Sequence, residues 1–213
     1  MRYAVVTDIH GDTPGLRAVL AGIERQGVDA LLCLGDVFDC LVGKADVPRH
    51  VFRSLDGVFD ADPELGTLLA DARTVRGNQE ERITGLVPPS ELPDWALPLL
   101  FADTEIRTDR ALYRHGHLMR WREPEPGVWS PVPGPGDPRL LLHGHHHRSA
   151  LHLVGPGDED CVRVPFGFGR EIPLEPGRRY VVNVGPVRGP RPAWAVLDEE
   201  ASVLTHHRVG DHP

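Results

Sequence analysis

The sequence has few cysteines, a single lysine and no long apolar segment. Its three cysteines, Cys33, Cys40 and Cys161, include no CxxC pair, so their odd number argues against a disulfide framework and against a thiolate zinc site. No apolar run approaches the length of a membrane span, and the chain reaches Asp8 without a signal peptide of the usual shape. We therefore expect a cytoplasmic protein with reduced thiols and no membrane partner.

The charge of the chain argues against another class of partner. The net charge is −8 at pH 7, which would repel long nucleic acids and anionic lipid surfaces, although local cations could still hold a small anionic substrate. With 213 residues, of which 40% are hydrophobic and 25% charged, the composition is that of an ordinary globular protein. The length predicts a single domain over residues 1–213 and leaves the oligomeric state open.

The first 36 residues are typical of a strand, a helix and a second, parallel strand. Residues 2–7 form a short apolar run, residues 13–27 have apolar positions at helical spacing, and residues 30–34 form a second apolar run. Because the carboxyl ends of parallel strands lie at the same edge of a sheet, this unit should bring Asp8, His10 and Asp36 together.

The rest of the chain contains fewer helices and more strands. We predict helices that begin near residue 62 and span 90–100, a strand at 73–75, and a hairpin of 105–107 with 111–113 that leads to His115 and His117. Residues 119–138 are rich in proline and glycine and are predicted to be an irregular loop carrying Trp121 and Trp129. Further strands are predicted at 139–142, 150–154, 161–164, 179–184, 193–197 and 202–208.

Polar clusters follow several of these strands. Each one alone is equally typical of a turn or a helix cap, but open α/β sheets gather their ligands at the carboxyl ends of strands. Three adjacent imidazoles, at positions 145–147, follow the strand at 139–142. Oxygen and imidazole donors together suit Mn, Fe or Zn better than Ca, and a shared carboxylate can hold two ions about 3.5–4 Å apart.

The clusters together resemble the signature of a known superfamily. The blocks Asp8-x-His10, Gly35-Asp36, Gly77-Asn78, His115-Gly116 and Gly144-His145-x-His147 are similar, in order and context, to the five blocks of calcineurin-like metallophosphoesterases. The opening Asp-Ile-His-Gly-Asp and the late Asn-Val-Gly-Pro resemble the small bacterial branch of that superfamily.

This resemblance implies an α/β fold, a four-layer αββα sandwich with mixed sheets, and a dinuclear metal centre. Mn would be the favoured ion, with Fe, Zn, Ni or Co as other candidates. Carried over by position, the resemblance assigns Asp8, His10 and His147 to one ion, assigns Asn78, His115 and His145 to the other, and places Asp36 between the two ions.

The resemblance also implies a reaction, in which a hydroxide held between the ions attacks a phosphate ester in line. The expected substrate is a small phosphodiester or nucleotide. A phosphomonoesterase or a phosphoprotein phosphatase is one alternative, and a catalytically weak interaction scaffold on the same fold is another.

The third block departs from the common pattern, which has a histidine that assists the leaving group where this chain has Gln79. Since an amide cannot donate a proton as an acid, the site either acts on esters that need little protonation or uses His117 or His146 as the acid. His117 also competes with His115 as a metal ligand, because alternate strand positions face the same way.

Other polar and aromatic residues have less definite predictions. Arg76 is either a phosphate anchor or a surface ion-pair partner, and Asp39 is expected to support a metal ligand by a hydrogen bond. Trp121 and Trp129 are expected either to stack on a base or aryl group or to pack beneath the loop. The histidines outside the blocks are expected to be solvated; they are His50, His152, His206, His207 and His212.

Overall fold

The structure is a computed structural model that describes residues 1–156 and 161–211. It contains fourteen strands within those residues: β1 Arg2–Val6, β2 Ala30–Cys33, β3 Arg73–Thr74, β4 Glu105–Arg107, β5 Ala111–Arg114, β6 Arg120–Glu125, β7 Val128–Val132, β8 Leu140–His143, β9 Ala150–Val154, β10 Cys161–Val164, β11 Glu171–Pro173, β12 Tyr180–Asn183, β13 Ala193–Asp198 and β14 Val203–Arg208. The α-helices in the same part of the chain are α1 Thr13–Ile23, α2 Pro63–Leu68, α3 Asn78–Leu86 and α4 Leu97–Leu100.

Two six-stranded mixed sheets form the body of the protein and confirm the expected fold class. The first sheet has the order β11-β14-β13-β1-β2-β3, and the second has the order β10-β9-β12-β8-β5-β4. Strands β1, β2 and β3 are parallel neighbours in the first sheet, as are β5, β8 and β12 in the second. The carboxyl ends of these parallel strands carry the loops of the candidate site.

Three apolar clusters account for the packing of the layers. One lies between the sheets and includes Val5, Leu32, Leu142 and Val182. A second cluster joins the helices to the outer face of the first sheet, and a third lies between the outer face of the second sheet and the β6–β7 region, where Trp121 packs on it. The helices of the described residues therefore lie outside the first sheet, and a two-stranded ribbon lies outside the second, where the αββα arrangement implied a helical layer.

The prediction of an irregular loop at residues 119–138 is wrong. Strands β6 and β7 pair antiparallel there, with Trp121 opposite Pro131 and a shift of register between Arg122 and Glu125. Prolines are tolerated because the ribbon has only two strands, so both are edge strands. Gly127 at the tip has φ +75°, a conformation that suits the third position of a Pro-Gly turn.

Two other sequence predictions differ from the structure. Residues 90–100 form two 3₁₀ turns followed by the short helix α4, because Pro93 and Pro98 each interrupt backbone hydrogen bonding. His206 is fully buried rather than solvated, since it lies on β14 with its ring stacked on Phe166 at 4.3 Å. His50, His152 and His207 are partly buried, and His212 lies outside the described residues.

Within the described ranges, no helix has the length and apolar character needed to span a bilayer.

Candidate metal centre

Loops from both sheets meet at one edge of the sandwich. The backbone N–H of His10 donates to the carbonyl oxygen of Asp36 at 2.9 Å, which ties the loop after β1 to the loop after β2. The N–H of Gly144 donates to the carbonyl oxygen of His115 at 2.9 Å, which ties the loop after β8 to the loop after β5. The N–H of His145 donates to a carboxylate oxygen of Asp8 at 3.0 Å and joins the two pairs of loops.

The backbone of this edge is strained at the candidate ligands. Among the described residues, six that are not glycine have positive φ, and five of the six are candidate ligands. L-residues avoid this conformation at a cost of about 1–3 kcal/mol each, and such outliers cluster at functional sites. The five are Asp8 (φ 54°), His10 (48°), Asp36 (51°), His145 (75°) and His147 (51°).

Glycines allow the loops to approach one another closely. A Cβ atom at Gly144 would lie 2.6 Å from Oδ2 of Asp8, and one at Gly77 would lie 2.7 Å from the backbone nitrogen of Asp36. Neither position can accept a side chain without moving a candidate ligand. The glycines in the sequence blocks are therefore explained by packing at this edge.

The side chains form two groups that could each hold a cation. In the first, Asp8, His10 and His147 place their ligand atoms within 4.8 Å of one another. Nε2 of His147 lies 3.4 Å from Oδ1 of Asp8 and 3.0 Å from Nε2 of His10.

The second group consists of Asp36, His115 and His145, whose ligand atoms also lie within 4.8 Å of one another. Nε2 of His115 lies 3.2 Å from Oδ2 of Asp36 and 3.2 Å from Oδ1 of Asn78. The same Asp36 oxygen is 3.6 Å from Nε2 of His10 in the first group. Asp36 therefore lies between the two groups, and the structure brings together all seven residues that the resemblance assigns to metal.

The orientation of His115 fits a bound cation. Its Nδ1 donates to the carbonyl oxygen of Leu34 at 2.8 Å, which leaves the Nε2 lone pair of a neutral ring facing oxygens of Asp36 and Asn78. Three acceptors that converge in this way repel one another unless a proton or a metal ion lies between them. His10 is oriented similarly, because its Nδ1 lies 3.2 Å from Oδ1 of Asp39, the support predicted for Asp39.

The pKa values describe the same electrostatics. Burial acts to raise the pKa values of Asp8 and Asp36, but the surrounding imidazoles outweigh it and hold both carboxyl pKa values below their usual range. Burial opposes the charged form of His115, but Asp36, Asp8 and Glu80 raise its pKa to about 9. Burial lowers the pKa of His145 to about 4. The edge therefore holds negative charge that attracts a cation.

Glu80 is a buried residue at this edge that the sequence analysis did not single out. Its carboxylate accepts from the N–H groups of Asp36 (2.8 Å) and Gly77 (2.7 Å) through Oε2, and of Val37 (2.8 Å) and Phe38 (3.2 Å) through Oε1. It fixes the loop that carries Asp36 to the start of α3, which carries Asn78. An acid three residues after a glycine at a strand end could have indicated this capping role.

Gln79 helps to shape the loop that carries Asp36. Its side-chain oxygen accepts from the N–H of Cys40 at 3.0 Å, and its own N–H donates to Oδ1 of Asp36 at 2.9 Å. The amide in place of the common histidine therefore has a structural role.

The three other candidate catalytic residues lie in different surroundings. Arg76 donates to the carbonyl oxygen of Ala102 at 3.0 Å, and its Nε lies 3.6 Å from a carboxylate oxygen of Glu81, which favours the interpretation as a surface ion-pair partner. His117 is close to the second group, with its ring centroid 6.3 Å from that of His145 and its Nε2 3.1 Å from a carboxylate oxygen of Glu81. His146 points towards the β6–β7 ribbon, with its ring 4.1 Å from that of Trp121.

A sandwich of two mixed sheets with histidine and carboxylate groups at one edge defines a class of metal-dependent hydrolases. The family model of calcineurin-like phosphoesterases matches residues 1–164, and the chain belongs to that family. It is therefore a metal-dependent phosphoester hydrolase. The family uses divalent metals, and the groups described above are candidates to hold them.

One solved structure supports this fold, and two further solved structures are similar at lower scores. A metallophosphoesterase from Sphaerobacter thermophilus is 20% identical, with 100% of this chain and 89% of the other covered and a TM-score of 0.68. Yfce, a phosphoesterase from E. coli, is 18% identical over 99% and 100% of the two chains with a TM-score of 0.46. An archaeal phosphodiesterase is 14% identical over 98% and 99% with a TM-score of 0.47. No protein of curated function matches the sequence.

Proposed function

We propose that the protein hydrolyses a small phosphodiester or a nucleotide-like phosphate ester at a centre of two divalent metal ions. The position of Asp36 carries this proposal, since its Oδ2 is 3.2 Å from Nε2 of His115 and 3.6 Å from Nε2 of His10. Two groups that share one carboxylate suit a pair of ions. When bound, such ions would supply a nucleophile at neutral pH and offset the charge of the phosphate.

The proposal assigns each of the seven candidate ligands to one or both of the two ions. Asp8, His10 and His147 hold one ion, and Asn78, His115 and His145 hold the other, with Asp36 shared. Asn78 and His145 also face the phosphate. Mixed oxygen and nitrogen ligands favour Mn, with Fe, Zn, Ni and Co as the other candidates.

The proposed general acid is His117 rather than His146. His117 lies beside the second group, and its Nε2 is 3.1 Å from the Glu81 carboxylate. Burial and the neighbouring His115 lower the pKa of His117, so a proton on this ring is readily released to a leaving group. His146 instead contacts Trp121. This assignment predicts that His117→Gln slows alkyl esters, whose leaving groups need a proton, much more than aryl esters.

A local concentration of cations supports a small anionic substrate. A cavity of about 240 Å³ beside His147 is lined by Arg188, Arg191 and Arg208. Arg188 also pairs with Asp39 at 2.8 Å, which in turn contacts His10. Arginine at this position can bind a phosphate oxygen through two N–H groups, although the chain as a whole is acidic.

Metal analysis followed by turnover tests the proposal. An aryl phosphodiester and an aryl phosphomonoester, each with Mn added, are offered to the purified protein, and we expect two ions per chain and faster turnover of the diester. Faster turnover of the monoester would mean that the protein is a phosphomonoesterase and not a phosphodiesterase. Little bound metal together with no turnover of either ester would favour the interaction scaffold and overturn the proposal.

A further inference from the structure

A second cavity lies beside the candidate metal centre, between the β6–β7 ribbon and the outer face of the second sheet. Its volume is about 530 Å³, and its lining includes Trp121, Trp129, His146, Arg148 and Arg163. Small-molecule sites are typically concave, about 300–1,000 Å³ in volume and rich in aromatic side chains with a few polar groups. This cavity has those features, and its lining includes none of the seven candidate metal ligands.

Two residues in the wall of the cavity contact the metal-binding edge. His146 stands between two candidate ligands in the sequence, and its ring centroid is 5.2 Å from that of His145. Trp121 donates from Nε1 to the carbonyl oxygen of Gly116 at 3.1 Å, and Gly116 follows the candidate ligand His115. The cavity therefore lies next to the loops that carry the candidate ligands His115 and His145.

Two rings inside the cavity face one another at a spacing close to that needed for a third ring. The rings of Trp129 and His146 are within 21° of parallel, and their centroids are 6.3 Å apart. Insertion of a planar ring requires about 7 Å, which is twice the contact distance of about 3.5 Å between carbon atoms. Trp129 is 48% exposed, so it can move outward by the remaining distance. The ring of Trp121 lies 69° from parallel with that of His146, with 4.1 Å between their centroids.

The charged groups of the cavity are hydrogen-bond donors, while Ser130, His152 and Asn183 in its lining can donate or accept. Arg148 and Arg163 are exposed, and in the described parts of the chain neither is paired with a carboxylate. A guanidinium group donates and cannot accept. The two guanidinium groups therefore favour a planar ring with carbonyl or ring-nitrogen acceptors at its edge, and the other polar groups can pair with its donors. A ring that carries both acceptors and donors is the chemistry of a nucleobase.

We propose that this cavity binds the base of a nucleoside phosphate ester between Trp129 and His146, while the ester phosphate lies at the metal centre. The proposal rests on the proposed function for the phosphate half, and it assigns the base half to residues outside that centre. The hydrolase would then prefer esters that carry a nucleoside over esters that carry a small alkyl group.

A binding experiment without any phosphate tests the cavity by itself. Guanosine, adenosine, uridine and cytidine are titrated into the full-length protein by calorimetry, with ribose as the reference. We expect nucleosides to bind and ribose not to bind, and we expect Trp129→Ala to weaken nucleoside binding by about tenfold, which corresponds to about 1.4 kcal/mol of stacking. Trp129→Phe keeps a ring and should retain most of the affinity.

Phe101→Ala is the matched control, because Phe101 is a 53% exposed aromatic residue that follows α4 and should not affect nucleoside binding. No nucleoside binding, or binding that Trp129→Ala leaves unchanged, would overturn the proposal.

A kinetic comparison then tests whether the base contributes to turnover. The nitrophenyl ester of thymidine 5′-phosphate and methyl nitrophenyl phosphate have the same leaving group and differ only in the group that remains. We expect the thymidine ester to have the higher kcat/KM, and the ratio of the two values to fall about tenfold in Trp129→Ala. A ratio of one in the wild-type protein would overturn the proposal. If neither ester is hydrolysed, the proposed function is contradicted. The calorimetric titration with nucleosides then still tests whether the cavity binds a base.

Discussion

His115 at the metal-binding edge and His206 inside a sheet are both shielded from water, but their neighbours differ. His115 is buried with Asp36 3.2 Å away, and its pKa is raised to about 9 even though burial opposes the charged form. His206 is buried against the ring of Phe166, and burial lowers its pKa to about 3. His143 behaves as His206 does, with a pKa lowered to about 3.

The direction of the pKa shift alone does not separate histidines that can hold a cation from histidines that fill space, because burial also lowers the pKa of the candidate ligand His145, to about 4. Burial alone does not distinguish them; the carboxylates and the backbone do. His10 and His147 have positive φ values and lie near Asp8, whereas His206 lies in a regular strand. The cluster of imidazoles with carboxylates on a strained backbone is the feature that identifies the edge as functional.

Among the predicted changes, removal of the Asp36 carboxylate should have the largest effect, because it alters both metal binding and turnover. Asp36→Asn keeps the shape of the side chain but removes the negative charge that lies between the two groups. We expect loss of paired metal binding and a fall in turnover of about a thousandfold or more. Metal analysis and kinetics on an aryl phosphodiester measure both effects.

The control is Asp60→Asn, since Asp60 is exposed on a connecting segment and should not change either measurement. Full metal content in Asp36→Asn would mean that the two groups do not depend on a shared ligand.

Glu80 allows the support of the edge to be tested separately from its ligands. Glu80→Gln replaces one carboxylate oxygen by an NH₂ group that faces backbone N–H donors. At least one buried donor pair then loses its acceptor, so we expect the free energy of unfolding to fall by about 1–3 kcal/mol. Urea unfolding of the metal-free protein at pH 8 measures this change. Glu91→Gln, at an exposed position, provides the comparison, and equal stability of the two variants would contradict the supporting role.

The sequence was sufficient to predict much of the metal-binding edge. The alternation of apolar runs and polar clusters predicted β1, α1 and β2, and the parallel pairing of β1 with β2 is confirmed. The side chains of the five blocks meet at one edge because the topology of parallel strands brings them there. Local patterns and topology therefore predicted that Asp8, His10 and Asp36 would meet, whereas the rest of the proposed ligand set came from the resemblance to the superfamily.

Other features depend on contacts that no local pattern records. Helix α3 was not predicted because its polar sequence has little apolar periodicity, and the structure holds its start through the buried Glu80. The β6–β7 ribbon was mistaken for a loop because its prolines dominate the local pattern. The burial of His206 depends on Phe166, a residue forty positions earlier in the chain.

A smaller effect is expected from the hydrogen bond that orients His10. Asp39→Ala removes the acceptor 3.2 Å from Nδ1 of His10 and leaves the proposed ligand atom Nε2 in place. Groups that orient a metal-binding histidine typically contribute 10- to 100-fold in metal affinity, so we expect a loss of about that size with little change in the free energy of unfolding. Competition with a chelator measures the affinity, and Asp60→Ala is the control. An unchanged affinity would show that His10 is oriented without Asp39.

The smallest expected effect is on the free energy of unfolding and comes from His206, a histidine buried inside a sheet away from the metal-binding edge. Below about pH 6.5 the unfolded chain binds a proton at residue 206, whereas the folded chain remains neutral there down to about pH 3, so acidification in that window favours unfolding. His206 should lower the free energy of unfolding by about 1 kcal/mol between pH 7 and pH 5.5. Urea unfolding at both pH values measures this change. His206→Asn should lose the contribution of about 1 kcal/mol to the difference between the two pH values, even if the variant is less stable at both. An identical pH dependence in the wild-type protein and the variant would mean that His206 accepts a proton in the folded state, and the distinction between the two kinds of buried histidine would then fail at this residue.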